Sequence, residues 1–316
     1  MTLPLPACAA PRWACLDRAR DHDPKRRRPW SLATPGGEAI PAGSLAPEHV
    51  AVLLDLLPAR PGPSAALGAR MAAEGMLVLE GEAESLDAGF VALHRHLQRE
   101  GLILGWREEL FPLWPLDQPT VTCVHGGSAR PLARIERAAA RFWGSLTLGA
   151  HCNGWVADAQ GRPTHLWIAR RSRHKATDPG RLDNLVGGGV PDGQTPAQTL
   201  RREGWEEAGL TPQRMTAARA GRSLLLMHDL PEGLQRECLY GYDLLLGPDE
   251  RPANQDGEVE SFTCLSVAEA LEAAATGEMT VDAALVTLDF ALRHDLLGAS
   301  APELAARLRA RALLPG

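Results

Sequence analysis

The alternation of hydrophobic and polar positions along this chain predicts a fold built from both helices and strands. Apolar runs suited to strands occupy residues 75–79 and 166–172, and a further strand region begins at residues 105–109. Two more such runs, at residues 221–228 and 237–246, flank a turn sequence at residues 231–233 and are predicted to pair. Helices are predicted at residues 49–57, 88–100, 131–143, 267–275, 281–297 and 302–313.

A glycine-rich loop followed by a helix is predicted between residues 187 and 210. Three consecutive glycines, at residues 187–189, and a turn at residues 191–193 approach the helix. Thr195 is a favourable N-cap, and Pro196 suits the first helical position because its missing N–H costs nothing there. Gly209 is a suitable C-cap, so the predicted helix has about three to four turns.

Three glutamates of this helix, Glu203, Glu206 and Glu207, stand at positions i, i+3 and i+4. At about 100° per residue they project from one face, where like charges repel by roughly a few tenths of a kcal/mol per pair. A hard divalent cation such as Mg²⁺ takes oxygen ligands and keeps water and substrate phosphates in the rest of its shell. The spacing therefore favours a metal site for a phosphorylated substrate over the alternative, a solvated acidic face.

The same stretch resembles the Nudix box, a pattern of glycine, glutamate, arginine and aliphatic positions at fixed spacing. Gly188 opens the box, Arg202-Glu203 and Glu206-Glu207 match its centre, and Gly209-Leu210 close it. Two positions depart from the pattern: Gln194 stands where a glutamate is expected, and Gly204 replaces an aliphatic residue. We expect Gln194 to weaken metal binding. A glycine in mid-helix costs about 1 kcal/mol relative to alanine, so Gly204 indicates a closely packed neighbour.

The resemblance implies an α/β fold in which a mixed sheet is sandwiched between helices. It also implies that Mg²⁺ or Mn²⁺ is coordinated by Glu203, Glu206 and Glu207, with the carbonyl of Gly187 as a further ligand. Arg202 would orient these carboxylates through charge-assisted hydrogen bonds. The implied reaction is the attack of a metal-activated water on a phosphorus atom of a diphosphate. The box leaves open which glutamate acts as the base.

A narrower resemblance extends over roughly residues 30–297. The residues that carry it are 105–109, 151–156, 166–172, Lys175, 179–184, 256–260, 288–290 and 293–294. In these segments the chain resembles the Nudix subfamily with an extra N-terminal domain of the DUF4743 type, and it is similar to the Nudix part of fungal thiamine pyrophosphokinase fusions and to plant chloroplast Nudix proteins. The activity implied by this resemblance is hydrolysis of thiamine diphosphate derivatives, especially oxidised forms such as oxo- and oxythiamine diphosphate, to the monophosphate.

Basic side chains ahead of the box are candidates for binding the phosphates of the substrate. Arg170 and Arg171 end the apolar run, Lys175 follows shortly after, and a planar arginine fork suits bidentate phosphate contacts. The alternative for each arginine is a strand position that faces water. Asn153 and Asn184 are candidates for contacting the ring of the substrate, although asparagine more often stabilises turns.

Glu258 is a candidate for a further carboxylate outside the box, acting as base or metal ligand. It follows a turn signal at residues 256–257, and Glu260 would share its side of a strand. We expect Glu258 to supply the charge that Gln194 lacks. The alternative is an exposed strand carboxylate. The catalytic candidates are therefore Glu203, Glu206, Arg202 and Glu258.

Length and charge restrict the classes of function. At 316 residues the chain has room for two domains, predicted as a smaller α+β domain at 1–140 and the Nudix domain at 141–316. We expect the first 25 or so residues to be only partly ordered. A net charge of −6 argues against a nucleic-acid-binding protein. No apolar run reaches the roughly 18 residues of a membrane span, and the six cysteines lack metal-ligand spacing, so we expect a cytoplasmic protein with reduced thiols.

Three functions remain open from the sequence, and all have a small-molecule diphosphate as partner. The first is hydrolysis of a thiamine diphosphate derivative. The second is hydrolysis of a nucleoside diphosphate derivative such as ADP-ribose or NADH. The third, motivated by Gln194, is diphosphate binding without turnover. The N-terminal domain could cover the site, complete the substrate pocket or form a homodimer.

Overall fold

The computed structural model describes residues 12–62, 65–116 and 130–311. Its N-terminal part contains α1 (Ala14–Arg18), β1 (Arg28–Ala33), β2 (Ile40–Leu45), α2 (Pro47–Leu56), β3 (Leu67–Met71), β4 (Leu77–Gly81), α3 (Leu86–Arg99), β5 (Leu110–Leu113), β6 (Ala133–Glu136) and α4 (Ala140–Trp143). Four of these strands form a sheet in the order β2-β1-β4-β3, with β1 and β4 parallel. Strands β5 and β6 pair separately and lead the chain towards the second part.

The second part is built on a central sheet of seven strands. Its elements are β7 (Leu146–Ala157), β8 (Pro163–Arg171), β9 (Leu182–Asp183), β10 (Val186–Gly189), α5 (Pro196–Ala208), α6 (Pro212–Met215), β11 (Arg219–Leu230), β12 (Gly233–Leu245), β13 (Val259–Ser266), α7 (Val267–Thr276), α8 (Val281–Arg293) and α9 (Ala301–Arg311). The strand order is β11-β12-β7-β8-β13, while β10 pairs with β7 and β9 with β8. The sheet is mixed, because β12 runs parallel to β7 and antiparallel to β11.

Helices cover both faces of the central sheet. Successive side chains of a strand point to opposite faces, and both faces of this sheet are apolar. Leu166, Ile168 and Leu239 pack with α1, α7, α8 and α9, whereas Trp167 and Cys238 pack with α5 and α6. The predicted sandwich of helices around a mixed sheet is therefore confirmed.

The first described residues pack against the second part of the chain. Trp13, Cys15 and Leu16 are buried in the apolar cluster that includes α7, α8 and α9. The guanidinium of Arg27 is paired with Asp229 of β11. These contacts correct the expectation that residues 12–25 are only partly ordered, because burial of large apolar side chains holds this segment in place. They also correct its placement in an N-terminal domain, because the segment packs on α7, α8 and α9. Residues 1–11 lie outside the described residues, and the boundary at 140/141 stays a prediction.

The helix predicted at residues 131–143 is only partly present. Residues 133–136 form β6, in which Ala133 and Ile135 are buried and Arg134 is exposed. Pairing with β5, distant in sequence, decides the conformation of this stretch over local propensity. The other predicted helices and strands are present with boundaries shifted by a few residues, whereas the elements without a prediction include α1, β1, β2, β3, β7 and α6. The last helix is described as far as residue 311, and residues 312 and 313 of the prediction lie outside the described range.

Two expected absences concern covalent links and membranes. Over residues 12–62, 65–116 and 130–311, the structure shows no disulfide between cysteines. Within the same ranges no helix combines the length and apolar character needed to cross a bilayer.

Gly204, the departure from the box in mid-helix, lies against α6. A Cβ atom at this position would be 2.6 Å from Cγ of Met215, which is 2% exposed. No real Cβ makes so short a contact, so a side chain at 204 requires Met215 to move. The close neighbour expected at Gly204 is therefore Met215, and their contact holds α5 to α6.

We expect Gly204→Ala to lower the free energy of unfolding by about 1 kcal/mol, measured by chemical denaturation. Overpacking against Met215 costs about 1–3 kcal/mol and outweighs the gain of about 1 kcal/mol in helix propensity. In a Met215→Ala background the overlap is gone, so the same change should stabilise the protein by about 1 kcal/mol. Equal effects in both backgrounds would show that the contact does not restrict position 204.

Candidate active site

The glycine loop and the helix that carry the box form as predicted. The hydroxyl of Thr195 accepts from the backbone N–H of Gln198 at 3.3 Å, and the Gln198 side chain accepts from Thr195 N at 2.8 Å. This reciprocal capping box begins α5, and Gly209 ends it with φ at 66°. The helix is thus defined at both ends, which fixes the direction in which its glutamates project.

Arg202 holds two of the three glutamates. Its guanidinium donates to Oε2 of Glu206 at 2.7 Å and to Oε1 of Glu203 at 2.8 Å. Glu203 is buried and Glu206 is more exposed. The charge-assisted hydrogen bonds expected of Arg202 are therefore present, and they orient both carboxylates along one side of α5.

Glu207 lies beneath the glycine loop. Its Oε2 accepts from the backbone N–H of Gly187 at 2.9 Å, and its side chain is buried. A Cβ atom at the next loop position, Gly188, would be 2.4 Å from Oε1 of Glu203. Gly188 is thus required because the backbone of the loop lies directly on Glu203, whereas a Cβ atom at Gly187 would meet the ring of His151 and one at Gly189 the ring of Phe111.

Lys175 joins the helix to the candidate carboxylate outside the box. Its ammonium lies 3.3 Å from Oε1 of Glu207 and is also paired with the carboxylate of Glu258. The structure therefore brings Glu258, just ahead of β13, to the three glutamates of α5, as the sequence led us to expect. Lys175, expected to bind phosphate, instead lies between two carboxylates.

Burial dominates the electrostatics of these groups. Burial raises the pKa of Glu203 to about 7 despite the opposing charge of Arg202. It also raises the pKa of Glu207 to about 7, against the opposing effect of Lys175. For Glu258, burial alone would raise the pKa, but the bond from Lys175 outweighs it and lowers the value. Glu203 and Glu207 therefore have too little positive charge around them to keep both carboxyls fully ionised.

The donor set suits a hard divalent cation. Carboxylate oxygens and the Gly187 carbonyl are the ligands that Mg²⁺ and Mn²⁺ take, and the charge deficit at Glu203 and Glu207 is one that such an ion would remove. As the side chains are arranged, however, no three His, Cys, Asp or Glu side chains of the described ranges converge on one metal position. Arg202 and Lys175 each draw two of the four carboxylates to themselves.

A cavity of about 360 Å³ adjoins these carboxylates and is lined by both parts of the chain. The N-terminal part contributes Arg107, Phe111 and Arg137, and the central sheet contributes Lys175, Gly187 and Glu258 among others. The charge of Arg137 acts on the carboxylates as well: it opposes part of the rise in the pKa of Glu203 and contributes to the lowered pKa of Glu258. The N-terminal part therefore completes the pocket, one of the roles left open by the sequence.

A second group of carboxyls lines another part of the same cavity. Asp282 of α8 and Glu237 of β12 both accept from the side-chain amide of Gln235, Glu237 at 2.9 Å and Asp282 at 3.5 Å. Burial and the charge of Glu237 raise the pKa of Asp282 well above its usual range. Within the described ranges neither carboxyl of this acidic wall has a cation within 4.0 Å, although the charge of Arg141 opposes part of the rise at Asp282 and Arg236 lines the same cavity.

The two candidate arginines differ in position. Arg171 lines the cavity, donates to Oδ2 of Asp183 at 2.7 Å, and also binds backbone carbonyls of residues 177 and 178. Arg170 points away, is exposed, and donates to the carbonyl of Gly180 at 2.8 Å. Only Arg171 is thus placed to affect a ligand, because adjacent residues of β8 face opposite sides.

Asn153 and Asn184 are part of the protein interior. They are 2% and 1% exposed, and Asn184 Nδ2 donates to Asn153 Oδ1 at 2.9 Å. Asn153 Nδ2 in turn donates to Asp243 at 3.0 Å, and Asn184 Oδ1 accepts from Nδ1 of His151 at 3.2 Å. Neither asparagine lines the cavity. The expectation that they contact the substrate ring is corrected, since protein groups already use their amides.

Gln194 lies apart from the carboxylates. Its side-chain carbonyl accepts from the hydroxyl of Thr199 at 3.0 Å, and it does not line the cavity. Its neutral amide therefore binds the first turn of α5. Because Gln194 is not among the carboxylates, the structure does not support the expectation that Glu258 supplies a charge that Gln194 lacks. Sequence reasoning missed Arg107, Arg137, Glu237 and Asp282, which carry no local signal because only the tertiary fold brings them to the cavity.

Comparison with known proteins finds matches to the residues around this site. Residues 149–284 match the family described as NUDIX domain. The chain is 36% identical over 208 residues to Nudix hydrolase 24, chloroplastic, of Arabidopsis thaliana, covering 65% of this chain and 53% of that protein. It is also 36% identical over 199 residues to Nudix hydrolase 20, chloroplastic, of the same plant, covering 63% of this chain and 50% of the relative. The chain thus spans about half the length of the curated relatives it matches.

Solved structures show likeness at a lower level. The NUDIX domain of Shewanella oneidensis NrtR, in complex with ADP ribose, is 16% identical, with a TM-score of 0.36, covering 48% of this chain and 89% of that one. Residues 149–284 thus match the NUDIX domain family, and Nudix hydrolases are among the relatives of the chain. The DUF4743-type domain and the similarity to thiamine pyrophosphokinase fusions stay predictions.

We expect Asn184→Ala to lower the free energy of unfolding by about 2–3 kcal/mol in chemical denaturation, because it leaves the buried Asn153 and His151 short of a partner. The exposed Arg170→Ala should change stability by less than about 0.5 kcal/mol. A stable Asn184→Ala protein with a raised KM would instead support contact with the substrate.

Proposed function

We propose that this protein is a metal-dependent pyrophosphohydrolase that cleaves the diphosphate of thiamine diphosphate derivatives and leaves the monophosphate. The observation that carries the proposal is the divided charge of the cavity, with basic side chains beside the carboxylates of the box and an acidic wall elsewhere. A diphosphate ester with an electron-poor, nitrogen-containing ring matches both regions. Its relatives named Nudix hydrolase support the reaction class.

In this proposal Glu203, Glu206 and Glu207 hold Mg²⁺ or Mn²⁺, with the carbonyl of Gly187 as a further ligand. A divalent cation bound there would offset the charge of the phosphate oxygens and lower the pKa of a bound water. Arg202 keeps Glu203 and Glu206 in place through the hydrogen bonds described above.

The remaining chemistry belongs to side chains of the cavity. Arg107 and Arg137 bring positive charge from the N-terminal part, and Arg107 has no ion pair with any described residue. We assign them, with Arg171, to binding the phosphates, since an arginine fork suits phosphate oxygens. Glu258 has a pKa below its usual range and lines the cavity, so it can accept a proton from the attacking water.

The acidic wall favours a thiamine-like group over a nucleoside. Asp282 and Glu237 offer carboxyl groups with no cation within 4.0 Å among the described residues, and these suit a positively charged thiazolium. An adenosine brings no positive charge at neutral pH. The oxidised thiamine derivatives come from the subfamily resemblance, and a cytoplasmic location and a homodimer likewise stay predictions.

A panel of diphosphates with Mg²⁺ tests the proposal. We expect oxo- or oxythiamine diphosphate to be converted to the monophosphate at least tenfold faster than ADP-ribose or NADH is cleaved, by chromatography of the products. Glu206→Gln and Glu207→Gln should each lower kcat by about a hundredfold or more. The exposed Glu272→Gln on α7 is the matched control. Faster cleavage of ADP-ribose would reject the thiamine specificity, and equal background release by wild type and variants would mean that the protein only binds diphosphates.

The acidic wall is tested separately by Asp282→Asn. Removing this carboxyl should lower kcat/KM for thiamine diphosphate derivatives by about tenfold or more, with less than about twofold effect on inorganic diphosphate. Asp295→Asn, an exposed substitution just beyond α8, makes the same chemical change as a control. A parallel loss on both substrates would contradict a role in recognising the ring.

A further inference from the structure

We propose that Lys175 is a placeholder cation, whose ammonium occupies the space between Glu207 and Glu258 in the metal-free protein and leaves it when a divalent cation binds. The inference rests on the proposed function in taking Glu207 to be a metal ligand and Glu258 to be the base beside it. It adds a positioning role for a residue that the sequence suggested only for binding phosphate.

The first support is that two cations hold the four carboxylates in separate pairs. Four glutamates surround the glycine loop, and two cations hold them in separate pairs: Arg202 binds Glu203 and Glu206, and Lys175 binds Glu207 and Glu258. In this arrangement no three acidic, histidine or cysteine side chains of the described residues converge on one metal position. Coordination by Glu203, Glu206 and Glu207 therefore has to join carboxylates of both pairs around one ion, and the like charge of a pairing cation opposes that ion.

Lys175 is the cation suited to leave. Arg202 makes two short hydrogen bonds, of 2.7 and 2.8 Å, with a rigid planar fork, and it belongs to the same helix turn as its partners. Lys175 is a point charge on a flexible four-carbon stem: it pairs closely with Glu258, but its bond to the buried Glu207 is longer than those of Arg202, at 3.3 Å. It comes from the loop between β8 and β9, outside the helix that carries its partner.

Burial explains why a placeholder is needed. The side chain of Glu207 is 6% exposed and that of Lys175 is 10% exposed, so neither charge is neutralised by water. Lys175 also lines the cavity, where its ammonium would face the phosphates of a substrate after leaving Glu207. One side chain thus compensates a buried carboxylate before the metal binds and adds positive charge to the phosphate region afterwards.

The wild-type protein allows a direct test because it contains only two lysines, Lys25 and Lys175. Lys25 is exposed and is the internal control for amine labelling by formaldehyde and a borane reductant, followed by mass spectrometry of peptides. Without metal, Lys175 should react about tenfold more slowly than Lys25. Mg²⁺ alone should accelerate labelling of Lys175 by about fivefold and leave Lys25 unchanged, because release of the ammonium raises the accessible fraction.

A pair of variants tests the competition by calorimetry with Mg²⁺. Lys175→Met should bind Mg²⁺ about tenfold more tightly than wild type, since the ion no longer displaces an ammonium. Arg173→Met removes the same charge from an exposed side chain two residues away, and should change the affinity by less than about twofold. If Lys175→Met does not fold without metal, the labelling of the wild-type protein decides the question.

The outcomes separate this inference from the proposed function. Mg²⁺ binding to wild type with unchanged labelling of Lys175, or equal or weaker binding to Lys175→Met, overturns the placeholder and leaves metal-dependent hydrolysis intact. Absence of Mg²⁺ and Mn²⁺ binding to both proteins overturns the metal site itself, and with it both proposals. Accelerated labelling together with tighter binding by Lys175→Met establishes the exchange.

Discussion

The structure around the candidate site depends on the burial of negative charge. Glu203 and Glu207 lie beneath the backbone of the glycine loop. No side chain fits at Gly188, because a Cβ atom there would overlap Glu203. A buried carboxylate without a partner is strongly destabilising, so each must have a cation or become protonated. Arg202 and Lys175 meet part of this requirement, and the raised pKa of both carboxyls shows that they do not meet all of it.

The same requirement links the two parts of the chain. The central sheet and α5 position the carboxylates, but positive charge from Arg107 and Arg137 reaches the cavity from the N-terminal part. The two parts are tied together at the cavity by the ion pair of Arg141 with Glu232, 2.6 Å apart, and on β11 by the pairing of Arg27 with Asp229. A change in how the parts pack would therefore alter the charge around Glu203 and Glu258 as well as the shape of the pocket.

How much the sequence reveals depends on whether the deciding interactions are local. The ends of α5 were predictable because Thr195, Pro196 and Gly209 act within one helical turn, and the three glutamates followed from helical spacing. Asn153 and Asn184 were misassigned because their partners lie up to 134 residues away, and no pattern near them distinguishes a buried network from a binding role. Asp282 and Glu237 were missed for the same reason, since α8 and β12 meet only in the folded chain.

Rigid and flexible groups have different tasks in this arrangement. The glutamates lie on a helix whose start is fixed by a capping box and whose middle is held by the contact of Gly204 with Met215. Ligands that must keep their geometry are best placed on such an element. The counter-ion that has to move, Lys175, comes from a loop and ends a flexible stem. The opposite placement would suit neither group. Carboxylates on the loop would lose the common direction that α5 gives them, and a lysine fixed on α5 would lose the freedom to move from Glu258 to the cavity.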